Sequence, residues 1–176
     1  MRAVIIGCGR VGASLADTLD RAGHRVLILD MVTSAFDRLP LTFRGEAVRG
    51  DGTDEDTLRR AGATGADLFV SLTEGDNRNI MAAQIALESL GIPVVLAKVN
   101  DPVRARAYAE LGIATINRTN LMRDVILAFA GLPVSGDPPV YVGHGHGHDH
   151  PMDVPLDAAS RPPGRAGLPL GTTREG

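Results

Sequence analysis

The run Gly7-Cys8-Gly9-Arg10-Val11-Gly12 constrains this chain more than any other segment. It follows Val4-Ile5-Ile6, an apolar run that reads as a strand. It opens a segment whose apolar residues Val11, Leu15, Leu19 and Ala22 recur at helical spacing. A GxGxxG between a strand and a helix is the context in which such a turn holds a dinucleotide. Gly7 allows the tight turn, Gly9 lets backbone approach a pyrophosphate, and Gly12 lets the helix lie close to the strand. The helix start then offers free N–H groups and positive dipole to phosphates. Arg25-Val26-Leu27-Ile28-Leu29 reads as a second strand, closed by Asp30, 18 residues after Gly12. A carboxylate there accepts ribose hydroxyls and repels a 2′-phosphate, which disfavours NADP. The competing role for Asp30 is to cap the following helix.

The remaining apolar runs extend the same pattern. Asp67 to Leu72 and Pro93 to Ala97 are apolar on both faces, as strands of a buried parallel sheet are. Weaker strands fall at Ala47-Val48-Arg49 and Ala114-Thr115-Ile116. Ile80, Ala83, Leu87 and Leu90 form a second helical stripe, and Asp101-Pro102 reads as an N-cap with proline at the first helical position. Thr53 with Asp56 resembles a capping box. Six strands with five intervening helices and a last helix at about 119–130 predict an α/β fold. Its core is a doubly wound, six-stranded parallel sheet of the Rossmann-like class.

Composition changes once. Residues 133–176 hold 8 Pro, 8 Gly and four of the five histidines, too few large apolar groups to offset ordering entropy. The expectation is a nucleotide-binding domain over 1–132 and a disordered tail over 133–176. The alternating His144-Gly145-His146-Gly147-His148-Asp149-His150 could bind metal adventitiously, but no fixed geometry supports a defined metal site. The net charge is −3 with one lysine, Lys98, and no basic block, which argues against nucleic acid. No apolar run reaches a membrane span, the N-terminus lacks signal-peptide character, and one cysteine excludes an internal disulfide. A soluble cytoplasmic protein is expected.

Topology nominates further residues. In the strand order 3-2-1-4-5-6 a ligand crosses the carboxyl ends where the order reverses. Thr73-Glu74-Gly75-Asp76-Asn77 then sits beside the phosphate loop, either as a cleft wall using Thr73 and Asn77 or as a polar turn in which Asp76 caps the next helix. Gly50-Asp51-Gly52-Thr53 lies on the adenosine side, where Asp51 is a ligand or a turn aspartate. Arg10 is a surface arginine or a donor to an extra phosphate. Cys8 reads as a small loop filler rather than a redox-sensitive thiol, His24 as a surface turn residue, and Lys98 as structural. No residue is assigned a catalytic or metal-ligating role.

Taken together, the residues resemble the nucleotide-binding N-terminal domain of Trk/Ktr-type potassium-uptake regulators, the RCK or KTN domain. The resemblance rests on Gly7 to Gly12, Asp30, Gly50-Asp51-Gly52-Thr53-Asp54, Ala66-Asp67, Thr73 to Asn77, and Val99-Asn100-Asp101-Pro102, over about residues 1–130. It implies binding of NAD(H) or ATP/ADP, with Asp30 on the ribose, Asp51, Gly52 and Thr53 by the adenosine, and Gly7 to Gly12 on the phosphates. In some members an arginine at the Arg10 position reaches the γ-phosphate of ATP across a subunit interface. The implied partners are a membrane potassium channel or transporter subunit (TrkH/KtrB-like) and further copies of the chain, at least a dimer. The implied place is the inner face of the plasma membrane, reached through that partner. Two departures stand out. Many members continue into a second ligand-binding domain, where the expectation for this chain is the Pro/Gly/His tail. Asn117-Arg118-Thr119 stands where a Pro-Glu pair often contributes to a cation site, so no cation ligand is carried over.

A non-enzymatic regulator and an NAD-dependent oxidoreductase fragment both use such a fold. Hydride transfer needs a substrate pocket and a positioned acid or base. No foldable segment after 132 is expected to supply them, so the regulator is favoured.

Overall fold

A computed structural model describes residues 1–134. Its strands are β1 (Arg2–Ile6), β2 (Arg25–Asp30), β3 (Glu46–Arg49), β4 (Leu68–Ser71), β5 (Val94–Lys98) and β6 (Ala114–Ile116). They form one sheet in the order β3-β2-β1-β4-β5-β6, with every pairing parallel. The helices are α1 (Arg10–Arg21), α2 (Glu55–Arg60), α3 (Asp76–Gln84), α4 (Pro102–Glu110) and α5 (Arg118–Phe129), and a π-helical turn over Ile85–Ser89 prolongs α3.

Side-chain alternation along the strands builds two layers. Val4, Ile6, Leu27, Leu29 and Phe69 pack with Leu58 of α2 and with Ile80 and Ala83 of α3. Ile5, Val26 and Ile28 point the other way, onto Ala13 and Ala16 of α1 and Ala35. The expected doubly wound sheet and its strand order are therefore present. Aliphatic runs without polar alternation are required because helices cover both faces of the central strands.

Three local expectations are corrected. The β2–β3 connection carries only a 3-10 turn, Thr33–Arg38, instead of a full helix. Pro40 has no N–H to donate and holds Leu39 in extended backbone, which stops the turn. In α1 the buried edge is Gly12, Ala13, Ala16 and Asp20, with Leu15 and Leu19 half-buried and Val11 and Ala22 exposed. Small residues win that edge because the helix lies so close to the sheet. The cap of α2 is Asp54, whose carboxylate accepts from the Thr57 amide and hydroxyl, one residue later than the expected Thr53–Asp56 pair. The α4 start is as expected: Asp101 accepts from Val103 N–H (2.9 Å) and Arg104 N–H (3.2 Å), with Pro102 at the first position.

The last helix forms where expected, but α5 buries none of its residues. Leu121, Met122, Val125, Ile126 and Phe129 are all exposed. Among the described residues no helix is long and apolar enough to cross a membrane. Residues 135–176 of the expected 133–176 tail, with its histidines, lie outside the described residues.

Candidate functional site

The strand order reverses between β1 and β4, where Ile6 is in register with both Leu29 and Ser71. At that point Gly7 N–H donates to Leu29 O (2.7 Å) and Leu72 N–H donates to Ile6 O (2.8 Å), so the chain turns over the carboxyl ends of three strands. Gly7 has φ +100°, and a Cβ there would lie 3.1 Å from the Thr73 amide nitrogen. A Cβ on Gly12 would lie 2.0 Å from Gly7 O, so only glycine allows α1 to approach the turn this closely. A Cβ on Gly9 would meet nothing within 4 Å. Gly9 is also the first flanking residue of α1, which starts with no side-chain cap and no acid in its first turn. The helix's N-terminal N–H groups therefore lack a side-chain acceptor, and the space beside Gly9 is open.

Asp30 closes β2 against this turn. Its Oδ2 accepts from Cys8 N–H (2.8 Å) and its Oδ1 from Val32 N–H (2.9 Å). The half-buried carboxylate keeps free lone pairs on both oxygens. Gly50 N–H donates to Asp30 O (3.0 Å), which brings Gly50 to Thr53 alongside. There Asp51 Oδ1 accepts from Thr53 N–H (2.9 Å) and Thr53 Oγ1 (2.7 Å), an Asx-type turn. Gly52 is buried against β1, since a Cβ would sit 2.3 Å from Ile6 Cγ2.

The wall after β4 is built differently from expectation. Thr73 lies next to Gly7, but its amide and hydroxyl donate to Asn79 Oδ1 (2.8 and 2.7 Å). The α3 cap position is Gly75, not Asp76. Asp76 instead accepts from Asn100 N–H (2.9 Å) and Asp101 N–H (3.1 Å) in the segment between β5 and α4. Partial burial pushes its pKa up, but these amides, the Asn100 side chain and the Arg104 charge outweigh burial and leave it below the ordinary carboxylate value. Asn77 is exposed, with its Oδ1 taken by Arg104 Nη1 (2.6 Å).

The structure thus brings Gly7 to Gly12, Asp30, Asp51 to Thr53 and Thr73 together at one end of the sheet, while Asn77 stands at the rim. Cys8 is wholly buried, as a loop filler would be, and its amide is committed to Asp30. Burial, then the Asp30 charge, raises its thiol pKa, with Arg38 opposing. Arg10 and Val11 are exposed on the first turn of α1. Lys98 is nearly buried and 3.9 Å from Glu74. Asn79, on no list of candidates from sequence, is the central polar residue of the wall. Its place beside Ile80 on the apolar stripe was the available signal.

A cavity of about 620 Å3 opens at the opposite, amino end of the strands, between Arg2, His24, Arg25 and Arg44. Its principal cations are already engaged: Arg44 donates to Asp20 O (3.0 Å) and Arg2 to the carbonyls of Gly62 and Thr64. The glycine turn needs no such enclosure, because its offering to a ligand is backbone N–H and dipole.

The family model described as the TrkA-N domain matches residues 3–118. The Trk system potassium uptake protein TrkA of Streptomyces coelicolor is 44% identical over 127 residues, 72% of this chain and 57% of that protein. The chain therefore spans little more than half the length of this relative. Among solved structures, the Kef C-terminal domain of Shewanella denitrificans in AMP-bound form superposes with TM-score 0.60 at 23% identity, over 74% of this chain and 82% of that one. The GsuK channel bound to NAD gives 0.59 at 17% identity, over 72% and 23%. GsuK bound to ADP gives 0.59 at 24%, over 71% and 32%. At these identities the structural likenesses establish the fold.

Proposed function

The chain belongs to the TrkA-N domain family, and from that premise we propose that it is the nucleotide-binding part of a potassium-uptake regulator. In this proposal residues 1–132 form the binding domain, and its ligand is NAD(H) or ATP/ADP. The Gly7–Gly12 turn takes the phosphates and Asp30 the ribose hydroxyls. Asp51, Gly52 and Thr53 border the adenosine, and Thr73 and Asn77 border the opposite side. Arg10, exposed and with no hydrogen bond or ion pair among the described residues, is the donor for a terminal phosphate. The names of the relative and of the nucleotide-bound neighbours support this choice of ligands and of potassium transport.

The observation that carries the proposal is the uncapped start of α1 at Gly9, open to space and flanked by the Asp30 carboxylate. It presents anion-binding dipole and ribose-binding acid side by side. Regulation follows if two conformations of the chain bind nucleotide with different affinity, since a ligand shifts a conformational equilibrium only by that difference. The output is the gating of a TrkH/KtrB-like membrane subunit at the inner face of the plasma membrane by an assembly of at least two copies. Thermal-shift titration with NAD⁺, NADH, NADP⁺, ATP, ADP and AMP tests the binding step. A concentration-dependent rise with the adenine nucleotides, weakest for NADP⁺, is expected. No shift with any of them overturns the proposal.

A further inference from the structure

We infer that Asn79 and Asn117 form a mechanical link that carries the state of the nucleotide cleft to α5; the inference rests on the nucleotide reading above. Asn79 is wholly buried and its amide is saturated. Oδ1 accepts from the Thr73 amide and hydroxyl, while Nδ2 donates to Thr73 O (2.9 Å) and to Lys98 O (2.9 Å). Two acceptor and two donor bonds use the full capacity of a carboxamide. The Ser71 hydroxyl donates to Asn79 O (2.8 Å), which also fixes the backbone at this residue. If the Thr73 loop moved without the end of β5, a buried polar group would lose its partner, so the two move as one body. The backbone of Leu72 and Thr73 lies against Gly7, so the Thr73 loop adjoins the turn proposed to hold phosphate.

The same carboxyl end of β5 is in turn tied to α5. Val99 N–H donates to Ile116 O (3.0 Å). Asn117 Nδ2 donates to Asn100 O (2.6 Å) and Val99 O (3.3 Å), while its Oδ1 accepts from Asn120 N–H (3.0 Å) and caps α5. One side chain therefore faces both ways: its amide nitrogen holds the β5 exit, and its oxygen holds the helix. Because α5 fully buries none of its own residues, with only Asn120, Asp124 and Leu127 half-buried, packing constrains it weakly and this cap is a principal attachment. Asn117 is thus a positioning residue whose two functions separate chemically. Aspartate keeps the capping oxygen and removes the donor.

Hydrogen exchange of the full chain, read by mass spectrometry with and without ADP or NAD⁺, tests the link. In the unaltered protein, nucleotide is expected to change exchange at Asn120 and Leu121 on the order of fivefold, the scale of one net hydrogen bond. Asn117→Asp is expected to bind ADP with unaltered affinity, keep α5 helical and lose that change. Asn79 is too deeply buried to serve as the first variant. A response retained in Asn117→Asp overturns the inference, as does an α5 that stays silent while ADP is bound. Failure of both ADP and NAD⁺ to bind removes the nucleotide reading and the link with it, so the two failures are told apart by the affinity measurement alone.

Discussion

Cys8 N–H donates to Asp30 Oδ2 at 2.8 Å, so the acid that closes β2 also sets the shape of the glycine turn on β1. A second amide, Val32 N–H, occupies the other oxygen at 2.9 Å. The residue proposed to hold ribose is thereby part of the scaffold it serves.

Removing that carboxylate is expected to act twice. Asp30→Ala leaves the Cys8 and Val32 amides without their acceptor, a cost of about 1–3 kcal/mol in urea unfolding. It should also weaken ADP binding roughly tenfold or more by calorimetry, the scale of a lost hydrogen bond to a charged group. Asp30→Asn retains one acceptor oxygen and should recover part of the stability. An Asp30→Ala protein with unchanged unfolding would mean the turn holds itself.

Gly9 and Gly12 should respond in opposite ways to the same methyl group. Gly12→Ala forces a Cβ to within 2.0 Å of Gly7 O and should cost about 3 kcal/mol or more through overpacking. Gly9→Ala meets no neighbour, so stability should stay within about 0.5 kcal/mol. Its methyl group would instead intrude on the space offered to a pyrophosphate, and nucleotide affinity should fall. Equal affinity in Gly9→Ala and the parent would place the phosphates elsewhere.

Asp76 predicts an acid-sensitive contact between α3 and the β5 exit. Its pKa is lowered from 3.8 on folding, so its contribution is present above that value and is lost as pH falls through the lowered one. Asp76→Asn should be less stable than the parent near neutral pH. The gap should close as pH falls below 3.8 and through the lowered folded-state value, where the parent carboxylate is protonated. Urea midpoints across that range provide the check, and a gap of constant size would assign the loss to packing.

Cys8 should be inert in the folded chain. Burial and the Asp30 charge favour the thiol over the thiolate, and the thiolate is the nucleophile. Iodoacetamide labelling at pH 8, followed by intact mass, should be slow until denaturant is added. Rapid labelling of the native protein would show that the turn opens readily.

Long-range order was legible where the signal was chemical and local. Val4-Ile5-Ile6 followed by GxGxxG specified strand, turn and helix together, and Asp30 fell at the end of β2 as its spacing required. What escaped was set by partners distant in the chain. Asp76 looks like a helix cap from its neighbours, yet its hydrogen bonds run to Asn100 and Asp101. Asn79 carries no motif and acquires its role only when α3 packs over the ends of β4 and β5. Along α1 apolarity does not equal burial, because close approach to the sheet selects for small size: Gly12, Ala13 and Ala16 go in, and Val11 stays out.

The exclusively parallel sheet sets the order in which this chain can mature. Of the six described strands β1 leaves the ribosome first, and no hairpin partner follows it. Its inner neighbour β4 begins the Ala3–Leu68 pairing only after β2, β3 and α2 have emerged. Until then the strand Arg2–Ile6 has one side available to whatever edge it meets. Such nonlocal pairings close slowly because loop entropy is lost before contacts form. The interval between release of β1 and release of β4 therefore leaves a strand edge unpaired, and slowing translation within it should lower the soluble yield.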